Sequence, residues 1–376
     1  MFTKDNPYLA LIKERYPLSR EGSVKNTQHL VIDLGDSNLS YHVGDCIGVY
    51  PVNAPEVVEQ MLVALHASGE ERVKDQHGRT WTLREFLGCR ANLSQISKKL
   101  LDALHKKLPD GEAKQRLETL LNDRHLLKEF CSVHQVWDTL IEFPIQTFEA
   151  QEVTRLLLPM IPRFYSIASS MRYVGKEVHL TVAAFEYFTN GYLRRGVCSH
   201  HLCDLMPVGE AILPIYIHPH RGFTIPEDDT TPIIMVGPGT GVAPYRGFIQ
   251  ERIIRQASGK NWLFFGECNR TFDFFYENEW KQWVDEGWLK LDVAFSRDQP
   301  HKVYVQHLLI EKGAEVWQWL QEGAIFYVCG DAKHMAKDVT AALLTIAQTH
   351  GNLTEEDANL HLKQLRKQKR FLQDVY

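Results

Sequence analysis

The sequence predicts an α+β, multi-domain protein: a β domain interrupted by a helical insertion and followed by an α/β domain on a parallel sheet. Three observations carry that reading. Strand-like runs lie on both sides of a helix-patterned block, and strand and helix patterns alternate through the last 150 or so residues. The chain's 376 residues also exceed the roughly 150 of a single domain.

The elements follow in order. Residues 28–34 (QHLVIDL) run apolar as a strand should, and 45–52 (DCIGVYPV) follow a turn at Val43-Gly44. Between 55 and 149 the texture is helical, with apolar residues three and four apart over 57–67 and 117–130. Strand texture returns at 177–185 (EVHLTVAAF) and 210–217 (EAILPIYI). The block 55–149 therefore reads as an insertion into a β domain formed by 20–54 and 150–226. Past Pro226 and the polar stretch 227–231, strands are expected at 233–236, 262–266, 289–295 and 325–329. Helices are expected between and after them at 245–256, 274–284, 303–311 and 335–350. Strands alternating with helices at this pace make βα units and a parallel sheet over 229–376.

Composition narrows the function classes. Hydrophobic residues at 44% and charged residues at 24% exclude a disordered tail, a collagen-like repeat and a coiled-coil rod. The net charge of −5 argues against nucleic acid as a partner. No apolar run approaches the ~18 residues of a membrane span, so no membrane association is expected. Residues 1–8 include Lys4 and Asp5 and lack the apolar core of a secretory signal. Seven cysteines without a C-x-x-C pair read as reduced thiols of a cytoplasmic protein. The 17 histidines, including His200-His201 and His218-Pro219-His220, show no metal-ligand spacing. No metal is expected, and these histidines read as surface or loop residues. The basic run 363–370 on a C-terminal helix reads as a solvated face, with an acidic docking partner as the lesser alternative.

Gly237-Pro238-Gly239-Thr240-Gly241 stands between a strand and a helix, where backbone N–H groups can approach a phosphate. It is neither the G-x-G-x-x-G fingerprint, because Val242 occupies the third glycine position, nor a P-loop. Taken alone, such a turn is structural as often as it binds a ligand.

Four further segments and the chain end decide the matter. They are RFYSIASS (163–170), GVCSHHL (196–202), AFSRDQPHKVYVQH (294–307), YVCGDAKHMAKDV (327–339) and DVY (374–376). In this order and spacing they resemble the ferredoxin–NADP reductase type of module. The match is to the form found in diflavin reductases and in flavoprotein subunits of NADPH-dependent sulfite reductases. The resemblance runs from about Gln28 to the last residue and is weakest in the helical insertion. It implies an antiparallel FAD-binding β-barrel with a helical connecting insertion, then an NADP-binding α/β domain, with FAD and NADPH as cofactors.

The residues fit those expectations physically. Arg163 is a planar cation suited to the FAD pyrophosphate, Tyr165 beside Phe164 offers an aromatic face to the flavin, and Ser166 a hydroxyl to its N5. Thr181, Val182, Ala183 and Tyr187 match further flavin contacts, although the first three would serve equally as strand core. Gly196, Val197, Cys198 and Ser199 begin a helix whose amides can hold the same pyrophosphate. Ser296, Arg297, Lys302, Val303, Tyr304, Val305 and Gln306 match the NADPH-binding run, with cations and hydroxyls suited to a 2′-phosphate. Asp331 is a further nucleotide contact. Glu267 opposes this assignment, since an acid at the end of the second strand is what NADH enzymes use.

Hydride transfer needs orientation and a dry site more than an acid–base pair. The resemblance gives Ser166, Cys329, Asp374 and Tyr376 the catalytic roles. Asp374 and Cys329 would orient the nicotinamide, and Tyr376 would stack on the flavin and move aside for it. The expected reaction is hydride transfer from NADPH to FAD, then release of single electrons to a separate acceptor. That acceptor is a flavodoxin-like FMN protein or a sulfite reductase haemoprotein, because the three expected parts use up the 376 residues, unless the chain is a piece of a longer one. A free-standing ferredoxin or flavodoxin reductase and a non-catalytic assembly subunit are the alternatives.

Overall fold

The computed structural model describes residues 2–145, 148–220 and 222–376. Its contacts divide the chain into two compact units. One comprises residues 1–48, 164–183 and 208–376, and the other 49–163 and 184–207.

The first unit holds two large sheets. The N-terminal one has six strands in the order Arg163–Ser166, Cys46–Val49, Leu213–His218, Tyr8–Pro17, Asn26–Asp33, Glu177–Ala184. Tyr8–Pro17 pairs antiparallel with both of its neighbours. The two edges meet where the Ala168 amide donates to the His179 carbonyl at 2.8 Å, so the sheet curls towards a barrel. Gly44, with φ +97°, is required at the expected turn, because a Cβ there would lie 1.8 Å from the Phe223 carbonyl oxygen. The strand Tyr8–Pro17 escaped the sequence pattern. Its buried Ala10 and Ile12 are followed by Lys13-Glu14-Arg15, and the register shifts between Ile12 and Glu14, which breaks the period of two.

The second sheet has five parallel strands in the order Lys290–Phe295, Asn261–Glu267, Ile233–Val236, Ile325–Gly330, Phe371–Val375. Ile233–Val236 is wholly buried, as a central parallel strand covered on both faces must be. Ile234 and Val236 enter one hydrophobic cluster with Trp262, Phe264 and Phe326. Ile233 and Met235 enter the other with Leu263, Phe265 and Tyr327, so successive residues serve opposite faces. Phe371–Val375 follows the helix Glu355–Lys367 and closes the edge. That helix buries Ala358, Leu362 and Leu365 and leaves the basic residues of 363–370 largely exposed.

The second unit is mostly helical. Pro55–Leu65, Lys98–Lys107 and Val136–Glu142 contribute Met61, Leu62, Leu101, Leu104 and Trp137 to its core. The single helix expected over 117–130 is two, Glu112–Asn122 and Arg124–Val133. Asp123 caps the second by accepting from the His125 and Leu126 amides, and its extended φ/ψ ends the first. The hairpin Glu186–Thr189/Tyr192–Arg195 packs in this unit through Arg194. That guanidinium is buried, pairs with Asp138, and lies 4.9 Å from the ring centres of both Trp137 and Tyr192. Among the described residues, no helix is long and apolar enough to cross a membrane.

Candidate functional site

In an open parallel sheet ligands bind outside the carboxyl ends of the strands, where the strand order reverses. Here the chain builds outward from Ile233–Val236 in one direction and then returns to its other side with Ile325–Gly330. The glycine-rich turn sits at that point. Gly239 has φ +59°, and a Cβ on Gly241 would lie 2.1 Å from the Cys329 carbonyl oxygen. Glycine is thus demanded both by the turn and by close contact with the next strand.

The parallel register then does the positioning. Cys329 pairs with Asp374 and Gly330 with Val375, which places the Cys329 thiol 3.9 Å from Asp374 Oδ2. The Ser166 hydroxyl, from the six-stranded sheet, donates to the same oxygen at 3.0 Å. Three residues far apart in sequence therefore meet at one carboxylate. Tyr376 is anchored by its amide to the Gly330 carbonyl and accepts from the Ala332 amide, both at 3.1 Å. Its hydroxyl lies 3.0 Å from that of Thr240 in the glycine turn, and the residue is 66% exposed.

Burial pushes the Cys329 thiol far above its ordinary pKa, and the neighbouring Asp374 charge adds to the effect. Cys46 lies in the same cluster. Burial first, then Asp374, push its thiol up to about 12, against a lowering hydrogen bond to Ser166. Both thiols therefore stay protonated and neither is a nucleophile. What the cluster offers is a hydroxyl, two weak S–H donors and a carboxylate able to stabilise positive charge developing beside it.

In the His218-Pro219-His220 stretch, His218 is exposed and His220 lies half-buried in a loop, as the surface or loop reading expects. His220 Nε2 lies 3.5 Å from Asp374 Oδ1, and its amide donates to Asp45 at 3.0 Å. His200 and His201 correct the surface or loop reading, since both are buried, His200 within the helix Val197–His200. Cys46 and His220 carry no sequence signal, because only tertiary folding brings them to Asp374.

The expected nucleotide run follows the strand Lys290–Phe295. The Ser296 and Arg297 amides continue the strand pairing, donating to the carbonyls of Glu267 and Cys268 at 2.8 and 2.9 Å. The side chains of Arg297, Lys302 and Tyr304 are exposed. Gln306 donates to Asp338 at 3.3 Å. Val303 is half-buried, and Val305 is 2% exposed within a hydrophobic cluster, so its side chain serves the core. Asp331 accepts from the His334 and Met335 amides at 2.7 and 3.1 Å, capping the helix Met335–Gly351. Glu267 is held by Lys25, whose ammonium lies 2.7 and 2.9 Å from its two oxygens.

Phe164, Tyr165, Ser166, Thr181, Val182 and Ala183 belong to the first unit. Val182 is fully buried and Thr181 bonds the Tyr276 hydroxyl at 2.7 Å, while Phe164 and Ala183 are exposed. Arg163, Tyr187, Gly196, Val197, Cys198 and Ser199 belong to the second. There Gly196 caps the short helix Val197–His200, and the Ser199 hydroxyl accepts from the Phe185 amide at 3.2 Å. Val197 lines a cavity of about 130 Å³ with Asn53, Ser94, Gln135, Trp137, Arg194 and His200. Of these lining residues, Trp137 Nε1 and Arg194 Nε are buried without hydrogen-bond partners, and His200 Nε2 lies 3.8 Å from Glu56 Oε1. Orphaned donors in a polar cavity are a ligand-site signature, and nothing in their sequence spacing announced them.

Comparison with known proteins agrees with this geometry. Residues 1–201 match the FAD binding domain family, and residues 235–341 the oxidoreductase NAD-binding domain. The chain is 43% identical over 376 residues to the sulfite reductase [NADPH] flavoprotein alpha-component of Vibrio cholerae, covering all of this chain and 60% of that protein. The proteins of the same name from Photobacterium profundum and Bacillus subtilis are 42% and 41% identical. They are covered to 61% and 62% of their length and likewise match the whole of this chain. The chain thus spans about three-fifths of these relatives. With the FAD binding domain match covering more than half of its length and the oxidoreductase NAD-binding domain match following it, the chain belongs to the FAD binding domain family, coupled to an oxidoreductase NAD-binding domain.

Proposed function

We propose that the chain takes hydride from NADPH onto FAD and passes the electrons singly to a separate acceptor. The observation that carries this is the meeting of Ser166, Cys329 and Asp374 at the carboxyl end of the nucleotide sheet. FAD suits the residues present. Within the first unit the Tyr165 ring suits the flavin face and the Ser166 hydroxyl its N5. Bound there, FAD would supply the exchange between two-electron and one-electron chemistry.

The chain's own residues do the rest. Ser166, its hydroxyl proton held by Asp374 at 3.0 Å, would present its oxygen beside the flavin N5. The Asp374 carboxylate would stabilise positive charge developing on a nicotinamide held beside it. Cys329, protonated and buried, packs the floor of the site and keeps water out. Tyr376 covers the site and gives way to the nicotinamide. Arg297 and Lys302, exposed after the strand Lys290–Phe295, would take the 2′-phosphate with Ser296, and Tyr304 offers its exposed ring to the adenine. Asp331 acts through the helix it caps. The acceptor is a flavodoxin-like FMN protein or a sulfite reductase haemoprotein, and a reducing cytoplasm suits the seven thiols, among which no disulfide forms.

Anaerobic stopped-flow tests this directly. NADPH added to the FAD-loaded protein should bleach the flavin band faster than NADH does. No bleaching by either would defeat the proposal, and a preference for NADH would defeat the 2′-phosphate assignment.

A further inference from the structure

Glu267 ends the second parallel strand with a side chain only 2% exposed. A carboxylate so buried needs partners. It has the Cys268 amide, donating to Oε2 at 2.7 Å, and the ammonium of Lys25, which spans both oxygens at 2.7 and 2.9 Å. Lys25 is 43% exposed along its side chain, so its cation is reachable from solvent. The pair also sits beside the glycine turn, since a Cβ on Gly239 would lie 3.4 Å from Glu267 Oε1. The other charged neighbours are accounted for. Asp273, close to Glu267 and Cys268, accepts from Ser23 and the Asn269 amide, and Arg297 is joined to Cys268 through its backbone.

From this we infer that Glu267 is a built-in competitor for the nucleotide's pyrophosphate. Its carboxylate occupies the Lys25 ammonium much as a phosphate would, and NADPH must displace it to engage that cation. The inference rests on the functional reading above and deepens it. A pyrophosphate at the Gly237–Gly241 turn brings two negative charges to within reach of the pair. A lysine with both carboxylate oxygens on it is a poor donor to a third anion, and the carboxylate itself repels the incoming one. The flexible lysine stem permits the exchange, after which Glu267 keeps the Cys268 amide. The acid thus sets nucleotide affinity through the pyrophosphate, which NADPH and NADH share. It does not read the ribose hydroxyls, and this removes its conflict with the 2′-phosphate assignment.

Isothermal titration of the FAD-loaded protein with NADP⁺, NAD⁺ and 2′-AMP tests this. Glu267→Gln retains an oxygen for the Cys268 amide and removes the charge. It should tighten NADP⁺ and NAD⁺ together by about tenfold, the size of one charge contact, and more at low ionic strength than at high. Binding of 2′-AMP, which lacks the pyrophosphate, should stay within about twofold. Lys25→Met should weaken NADP⁺ by a comparable factor, and the Lys25→Met/Glu267→Gln pair should return near the parent affinity. Glu267→Ala gives the same readout if the amide is not accommodated. Unchanged NADP⁺ affinity in the Glu267 variants, or equal tightening of 2′-AMP, would overturn this inference alone. A parent protein that binds neither NADP⁺ nor 2′-AMP would overturn the functional reading and this inference with it.

Discussion

Replacing Asp374 by asparagine should slow hydride delivery by about 10- to 100-fold while leaving NADPH affinity nearly unchanged. The magnitude follows from what the carboxylate holds. Oδ2 accepts from Ser166 at 3.0 Å and faces the Cys329 thiol at 3.9 Å, while Oδ1 faces His220 at 3.5 Å. Asparagine keeps an oxygen for the Ser166 hydroxyl but removes the charge from that hydrogen bond and from the group facing Cys329 and His220. A hydrogen bond to a charged group contributes about 1.5–3 kcal/mol, and each ~1.4 kcal/mol lost from the transition state alone is tenfold in rate. The assay is anaerobic stopped-flow at saturating NADPH, with NADP⁺ affinity measured separately. Ser166→Ala should cost a similar factor. The double variant should cost less than the product, because both single changes remove one shared hydrogen bond. Asp374→Asn reducing the flavin at the parent rate would refute the reasoning, as would a fully multiplicative double variant.

Removing Tyr376 frees the space above Thr240 and should lower the NADPH-over-NADH ratio of kcat/KM by about tenfold or more; an unchanged ratio would count against the covering role. Asp138→Ala leaves the Arg194 guanidinium buried without its carboxylate and strips the helix cap at the Gln135 amide. It should cost about 3–5 kcal/mol in urea unfolding, and a loss below about 1 kcal/mol would show that the pair is not buried in solution. His29 and His179 bond each other at 3.2 Å. Burial first and then Arg246 push them down to about 2 and about 4. Their folded pKa values lie below the unfolded 6.5, so below about pH 6.5 the unfolded chain binds protons that the folded one refuses. Stability should therefore be full above that pH and fall towards pH 4 by about 1.4 kcal/mol per unit per histidine. His29→Gln should reduce that slope by one proton, and an unchanged slope would rule His29 out.

The elements that declared themselves in sequence did so through local rules. QHLVIDL and IIMV are strands because apolar runs of that length bury on one or both faces. The glycine turn was visible because only glycine tolerates φ +59° at Gly239 and the backbone contact at Gly241. Tyr8–Pro17 was hidden because its irregular register disrupts alternation, and the break at Asp123 because a cap residue looks like any exposed acid in a helical pattern. The motifs placed Ser166, Cys329, Asp374 and Tyr376 on a shortlist. They could not show that Cys46 and His220 share the same carboxylate.

Sequence alone determined the succession of β, helical and α/β segments and the chemical types on offer, though not every strand, because periodicity and turn chemistry act over a few residues. Tertiary structure decided which groups share an atom. The Cys329–Asp374 register, the Ser166 hydroxyl arriving from another sheet and the capture of Glu267 by Lys25 join residues 45 to 242 positions apart. Separations of that size leave no periodic trace, and only the folded packing assigns each side chain its neighbour.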